Sequence, residues 1–162
     1  MLICGRGNDK NFSFQIDFSS PKIKNTERKM DDCIFCKIIK GEIPSFKIYE
    51  DDYTYAFLDI AKDVDGHTLV IPKKHVRSML ECDSETMTHV MESVQKISRH
   101  YIDDCGYGGV NLFNCTNECA HQSVFHFHVH IIPRKENDGI RGVPDFKGAK
   151  LPLEEMHEKL KI

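Results

Sequence analysis

Nine consecutive residues constrain this chain more than any others: His126-Phe127-His128-Val129-His130-Ile131-Ile132-Pro133-Arg134. Imidazole and apolar side chains alternate. A period of two is that of a β-strand, whose successive side chains point to opposite faces. One face then sends Phe127, Val129 and Ile131 into a core. The other carries His126, His128 and His130 together, alternate positions lying about 7 Å apart. The plain alternative is an amphipathic strand whose polar positions happen to be histidine. With nine histidines in 162 residues, three on one face between apolar neighbours rarely arise by chance, so the run marks a candidate site.

Three imidazoles in a row admit two chemistries. They can hold a metal, as in three-His zinc enzymes. Or one neutral imidazole attacks phosphorus while its neighbours donate hydrogen bonds to phosphoryl oxygens. The flanking residues favour the second. Gln122 and Ser123 stand in a loop just before the strand, an amide and a hydroxyl within reach of a phosphate or leaving group. Gly66-His67 opens another strand and supplies a fourth imidazole. Arg134 follows the proline and faces either an anion or solvent.

The rest of the chain frames that strand. Apolar positions 34, 35, 38 and 39 predict a short helix over Cys33 to Lys40, ended by Gly41. Phe46 to Glu50 and Tyr53 to Asp59 read as a hairpin around Asp51-Asp52, and His67 to Ile71 as a third strand stopped by Pro72. Met87, Val90, Met91, Val94, Ile97 and Ile102 recur at helical spacing, which predicts one long helix over Ser84 to Ile102 capped by Asp83 or Ser84. Gly108 to Asn114 is a fourth strand, Val124 to Ile132 a fifth, and Leu153 to Leu160 a short last helix. The expected class is α+β, an antiparallel five-stranded sheet with one long helix and short flanking helices.

Length bounds the chain to one domain, residues 30–162, behind an N-terminal extension, residues 1–29. In that extension Phe12, Phe14, Ile16 and Phe18 alternate with polar residues. Three readings stand: an edge strand, a solvated tail, or sequence upstream of a natural start at Met30. The extension is expected to be dispensable. Seven cysteines are an odd number, so complete pairing within the chain is impossible. No signal peptide is visible at the N-terminus, which predicts a reducing cytoplasm and cysteines that are thiols or metal ligands. A net charge of -3 argues against a partner such as DNA or RNA bound over the whole surface. A mean hydropathy of -0.42, with no long apolar run, argues against a membrane partner.

The stretch from Gln122 to Arg134 resembles the signature of the histidine-triad (HIT) hydrolases. Cys33-Ile34-Phe35-Cys36-Lys37-Ile38-Ile39-Lys40-Gly41-Glu42-Ile43-Pro44 is similar to that family's opening helix and turn. Ala56-Phe57-Leu58-Asp59-Ile60 and Gly66-His67-Thr68-Leu69-Val70-Ile71-Pro72-Lys73-Lys74-His75 resemble its central strands. The likeness runs from about Asp32 to about Arg134 and is strongest to bacterial-type HIT proteins similar to the Hint branch.

The resemblance implies a role for each matching residue. His128 would be the nucleophile that forms a nucleotidyl-histidine. A backbone carbonyl would hold its Nδ1–H and leave Nε2 to attack. His130 and His67 would contact the phosphate oxygens, with Gln122 and Ser123 serving the phosphate and leaving group. Asp59 would accept from the ribose hydroxyls. Phe35, Ile38, Ile43, Phe57 and Ile60 would line the base pocket, although from the residues alone all five read as core. Asn114 resembles an Asn beside the active-site loop. In the loop from Asn114 to Gln122 the family favours glycine where this chain has Asn117, and glycine or glutamine where it has His121. Asn tolerates the left-handed backbone such a position needs.

A Cys33-x-x-Cys36 pair is unspecific in a chain with seven cysteines. The resemblance supplies partners for it: His75 and His126, which complete a Cys₂His₂ set for one structural zinc. A four-ligand site is closed to substrate, so the metal would pin the first helix to the histidine strand. No organic cofactor is expected. The resemblance further implies a homodimer acting on a purine nucleotide, first as a nucleoside phosphoramidate hydrolase. The alternatives are a dinucleoside polyphosphate hydrolase, a nucleotide-binding module with negligible turnover, and a zinc module in which every histidine is a ligand. The surplus of histidines over four ligands argues against the last.

Overall fold

The computed structural model describes residues 32–61, 63–141 and 148–162. The expectations for residues 1–29 lie outside the described residues. Helix α1, Ile34–Ile39, is short because its C-terminus is closed at once by Gly41, whose φ is 75°. Gly41 N–H reaches Ile38 O at 2.9 Å and Glu42 N–H reaches Lys37 O at 2.9 Å, the paired bonds of a Schellman cap. Strands β1, Lys47–Glu50, and β2, Thr54–Leu58, form the expected hairpin. Asp51 ties its turn, one carboxylate oxygen accepting the N–H groups of Tyr53 at 2.9 Å and Thr54 at 2.6 Å.

Strand β3 spans Thr68–Pro72, helix α2 Ser84–Asp103, β4 Gly109–Phe113, β5 Val129–Arg134 and α3 Leu153–Leu160. The five strands lie in the order β1-β2-β3-β5-β4, with every neighbouring pair antiparallel. This is the α+β architecture expected from the sequence. Asp83 caps α2, its carboxylate accepting Thr86 N–H at 2.8 Å. Among the described residues, no helix is long and apolar enough to cross a membrane.

Period-two alternation sorts the sheet into two apolar faces. Val90, Val94, Ile97 and Tyr101 of α2 pack on Ala56, Val70, Phe127, Val129 and Ile131. Each valine, isoleucine or phenylalanine among them contributes about 1.5–3 kcal/mol on leaving water, before ordering entropy is subtracted. Two buried polar pairs stitch this helix to the sheet: Thr54 Oγ1 to Ser93 Oγ at 2.7 Å, and Thr68 Oγ1 to Tyr101 Oη at 2.6 Å. On the opposite face Phe35 and Ile38 of α1 pack on Tyr55, Phe57, Leu69 and Ile71. The histidines emerge on this second face.

The histidine strand differs from expectation at its start. It was expected over Val124 to Ile132, but regular pairing begins at Val129 and runs to Arg134. The cause is its neighbour. β3 ends at Pro72, which has no N–H, and pairs with β5 only through Thr68–Ile131, Leu69–His130 and Val70–Val129. Upstream, Phe127 N–H instead reaches Val76 O at 2.6 Å, in the segment after β3. Side-chain alternation survives the loss of pairing: Phe127 still enters the α2 core, and His126 is fully buried on the other side.

Candidate functional site

His128 is held at both of its ends. Its Nδ1 lies 2.6 Å from the carbonyl oxygen of His126. A carbonyl only accepts, so Nδ1 carries the hydrogen and Nε2 keeps its lone pair. The carbonyl of His128 itself accepts from Asn114 Nδ2 at 2.8 Å, just past the end of β4. The edge of Phe35 stands against the ring, centroid to centroid 5.4 Å. Burial lowers the affinity of the His128 ring for a proton; the carbonyl of His126 and the charge of Asp59 oppose that. Burial prevails, and the imidazole is neutral at pH 7 with its lone pair at Nε2.

His130 and His67 sit beside it. The ring centroids of His128 and His130 are 4.9 Å apart, and His67 Nε2 lies 2.9 Å from His130 Nδ1. Burial, then the charges of His128 and His67, push His130 down to about 3. Gly66 makes the approach of His67 possible. Its φ is +81°, and a Cβ there would stand 3.0 Å from Tyr107 Oη and 3.1 Å from Pro133 Cγ. Asp59 closes the group: its Oδ2 is 3.7 Å from His67 Nε2, while Oδ1 accepts Ala61 N–H at 2.9 Å.

Of the five expected base-pocket residues, Phe35, Ile38 and Phe57 are buried on this face and Ile43 is half-buried against the same cluster. Ile60 is 72% exposed, one residue beyond Asp59. Gln122 is buried, and its amide turns into the protein. Its Nε2 donates to Arg77 O at 2.7 Å and Val124 O at 3.1 Å, while Oε1 accepts Asn117 N–H at 2.9 Å. Gln122 thus shapes the loop, while the neighbouring Ser123 is exposed. That loop has positive φ at Asn117, 68°, and at His121, 64°. Arg134 is spent on Asp138, Nε and Nη2 lying 2.7 and 2.8 Å from its carboxylate oxygens.

Cys33, Cys36, His75 and His126 converge, with all four ligand atoms within 4.8 Å of one another. Cys33 Sγ and Cys36 Sγ lie 3.4 and 3.6 Å from His126 Nδ1, and Cys36 Sγ lies 3.3 Å from His75 Nδ1. With metal–sulfur and metal–nitrogen bonds of about 2.3 and 2.05 Å, a tetrahedral S–N edge is about 3.6 Å. The cluster has those dimensions. His126 Nε2 donates to Pro72 O at 2.9 Å, so its Nδ1 lone pair points at the sulfurs, the outer-shell arrangement of a ligating imidazole. Burial, followed by the proximity of Cys33, pushes the metal-free Cys36 thiol up to about 12. Burial pushes His126 down to about 4. The donor set fits a tetrahedral, sulfur- and nitrogen-preferring ion.

Sequence reasoning missed Asp63, which grips His67 Nδ1 at 3.0 and 3.2 Å. An acid four residues ahead of a histidine is a signal only on a helix, and here the segment is a loop.

Comparison with known proteins follows the same lines. The HIT domain family model matches residues 40–137, more than half of the chain. An uncharacterized HIT-like protein of Borreliella burgdorferi is 49% identical over 128 residues, 77% of this chain and 89% of its own length. An adenosine 5'-monophosphoramidase of Candida albicans is 38% identical over 139 residues, 80% of this chain and 89% of its own. The crystal structure of a Zn-bound histidine triad family protein from Mycobacterium smegmatis superposes with a TM-score of 0.66 at 34% identity, over 72% of this chain and 85% of that one.

Proposed function

Because this chain belongs to the HIT family, we propose that it hydrolyses nucleoside phosphoramidates of the AMP type through a nucleotidyl intermediate on His128. One observation carries the reading: the His126 carbonyl holds His128 Nδ1 at 2.6 Å, which leaves Nε2 as the free lone pair beside two further imidazoles. The similarity to an adenosine 5'-monophosphoramidase supports the substrate class.

In the first step His128 Nε2 attacks the α-phosphorus. An Nε2–P bond forms and the P–N bond to the leaving amine breaks. The departing amine takes up a proton from solvent, with the exposed Ser123 hydroxyl as the hydrogen-bonding group at the loop, and the proton shed by the attacking water in the second step returns to solvent. His130 holds a phosphoryl oxygen, with His67 directly behind it, its Nε2 2.9 Å from His130 Nδ1. In the second step water attacks phosphorus, the Nε2–P bond breaks, and the nucleoside monophosphate leaves with His128 restored. Asp59 accepts from the ribose hydroxyls. Phe35, Ile38, Ile43, Phe57 and Ile60 line the apolar side where a purine docks. Gln122 serves by holding the loop that presents Ser123.

Cys33, Cys36, His75 and His126 would hold one zinc, which ties α1 to the histidine segment and leaves no position for substrate. A homodimer fits the β4 edge of the sheet, where Leu112 and Phe113 are 44% and 40% exposed.

Turnover of a fluorogenic adenosine phosphoramidate and of a dinucleoside polyphosphate, by wild type and His128→Ala, tests the reading. The phosphoramidate should be the better substrate, and the variant should lose all measurable turnover while still binding AMP. Preference for the polyphosphate would select the dinucleoside hydrolase instead. Binding without turnover of either would leave a nucleotide-binding module.

A further inference from the structure

Asp63 holds His67 from behind. Its Oδ1 and Oδ2 lie 3.0 and 3.2 Å from His67 Nδ1, and Oδ1 also accepts Val64 N–H at 2.8 Å, which fixes the carboxylate. A carboxylate accepts, so Nδ1 bears the hydrogen and the neutral ring has a lone pair at Nε2. That lone pair is 2.9 Å from His130 Nδ1. Two lone pairs do not meet at such a distance, so His130 Nδ1 is the donor and His130 Nε2 is bare. The neutral row Asp63–His67–His130 therefore uses both of its N–H groups internally. It has none left for a phosphoryl oxygen, which needs donors.

We infer that Asp63 is a positioning residue that makes the His67–His130 pair take up one proton together with the substrate's phosphoryl group; this rests on the nucleotide reading above. The proton enters at His130 Nε2. The hydrogen on His130 Nδ1 passes to His67 Nε2. His67 becomes an imidazolium facing Asp63, and His130, again neutral, donates Nε2–H to the phosphoryl oxygen. One proton is consumed, one positive charge appears on His67, and no heavy-atom bond changes.

The surroundings favour the charge on His67. The other titratable groups facing the pair, among the described residues, are Asp59 and His128. Asp59 Oδ2 lies 3.7 Å from His67 Nε2 and stabilises an imidazolium there. His128 is neutral and packs on His130, ring centroids 4.9 Å apart. Burial works against charge on His130 itself. Burial also works against the Asp63 carboxylate, but its hydrogen bond to His67 holds its pKa below the ordinary value all the same.

The test is binding of the methyl ester of AMP, a phosphodiester monoanion that does not itself titrate near neutral pH. Calorimetry in buffers of different ionisation heat counts the protons taken up. Wild type should take up close to one proton per ligand between about pH 7 and 8, its affinity falling up to tenfold per pH unit as the pH rises. Asp63→Asn keeps an oxygen for Nδ1–H but not the charge. Its loss of affinity should begin about one pH unit lower, with wild-type affinity near pH 5 and an unchanged melting temperature. Asp63→Ala should show the same displacement. Binding by wild type without proton uptake, or a wild-type pH profile in Asp63→Asn, overturns the inference while leaving the nucleotide reading intact. Failure of wild type to bind the ester at any pH overturns both.

Discussion

The carbonyl of His126 accepts the Nδ1–H of His128 at 2.6 Å, while the His126 ring turns its own Nδ1 to the sulfurs of Cys33 and Cys36 at 3.4 and 3.6 Å. One residue thus joins the cysteine cluster to the His128 imidazole, through its backbone on one side and its side chain on the other. The regular strand begins only at Val129, so nothing in the sheet ladder fixes residues 126–128. The cluster and α1 hold them, together with the Phe127 N–H bond to Val76 O at 2.6 Å and the Asn114 amide on His128 O at 2.8 Å.

Purified protein is accordingly expected to carry one zinc per chain. Zinc bound only by the folded state contributes folding free energy, so chelation or Cys36→Ser should lower the melting temperature by about 10 °C or more. Turnover per folded molecule should fall much less, because no ligand touches substrate. Elemental analysis and calorimetry decide it. Protein without zinc, or zinc retained after loss of both Cys33 and Cys36, refutes the assignment.

Asn117 has φ 68° and ψ 164°, a region that only glycine occupies without strain. Three bonds hold it there: its N–H to Gln122 Oε1 at 2.9 Å, and its carbonyl to the N–H groups of Ala120 and Gln122 at 3.1 Å each. Relief of about 1–3 kcal/mol of strain exceeds the roughly 0.5–1 kcal/mol that glycine loses in chain entropy. Asn117→Gly should therefore stabilise the protein by about 1 kcal/mol, and Asn117→Ala should destabilise it. Denaturant titration of the two variants reads the difference. A lower stability for the glycine variant would show that the side chain of Asn117, and not its backbone, is what the loop needs.

Much of this site is written in the order of residues. Alternation from Phe127 to Ile131 assigns the core face, and the spacing of Val90, Val94 and Ile97 assigns the helix that covers it. Both are local patterns with a fixed period, so they survive whatever the rest of the chain does. The inward turn of Gln122 has no such period. It depends on where the carbonyls of Arg77 and Val124 come to rest, 45 and 2 residues away. The late start of β5 depends likewise on where β3 runs out. Asp63 is legible only once His67 is known to face it across a loop.

Stability should fall on mild acidification, and His130 should account for part of the loss. Burial pushes its folded pKa down to about 3, against about 6.5 for an unfolded imidazole. Between those limits the unfolded chain binds a proton that the folded one refuses, so stability rises with pH and is lost as pH falls below about 6.5. For one such group the loss between pH 7 and 5 is about 2 kcal/mol. His130→Asn should escape that share. Unfolding free energies of both proteins, measured with the metal site kept in one state at the two pH values, test it. An equal acid loss in wild type and variant would show that His130 already binds its proton in the folded state.

The last expectation concerns residues 1–29. They precede the HIT match at residues 40–137 and the first described helix at Ile34. Their serine, lysine and asparagine content offers little to bury. A chain beginning at Met30 should keep nearly all turnover and most of its stability. Against this stands the stripe of Phe12, Phe14, Ile16 and Phe18. Docked on a sheet edge, each of those side chains would contribute about 1.5–3 kcal/mol before the entropy of ordering the segment, about 1–2 kcal/mol per residue, is subtracted. Four such side chains barely offset seven ordered residues, so docking is at best marginal unless ladder hydrogen bonds join in. Calorimetry and sedimentation of the shortened chain separate the cases. A melting temperature lower by 10 °C or more, or a change in oligomeric state, would make the segment part of the fold.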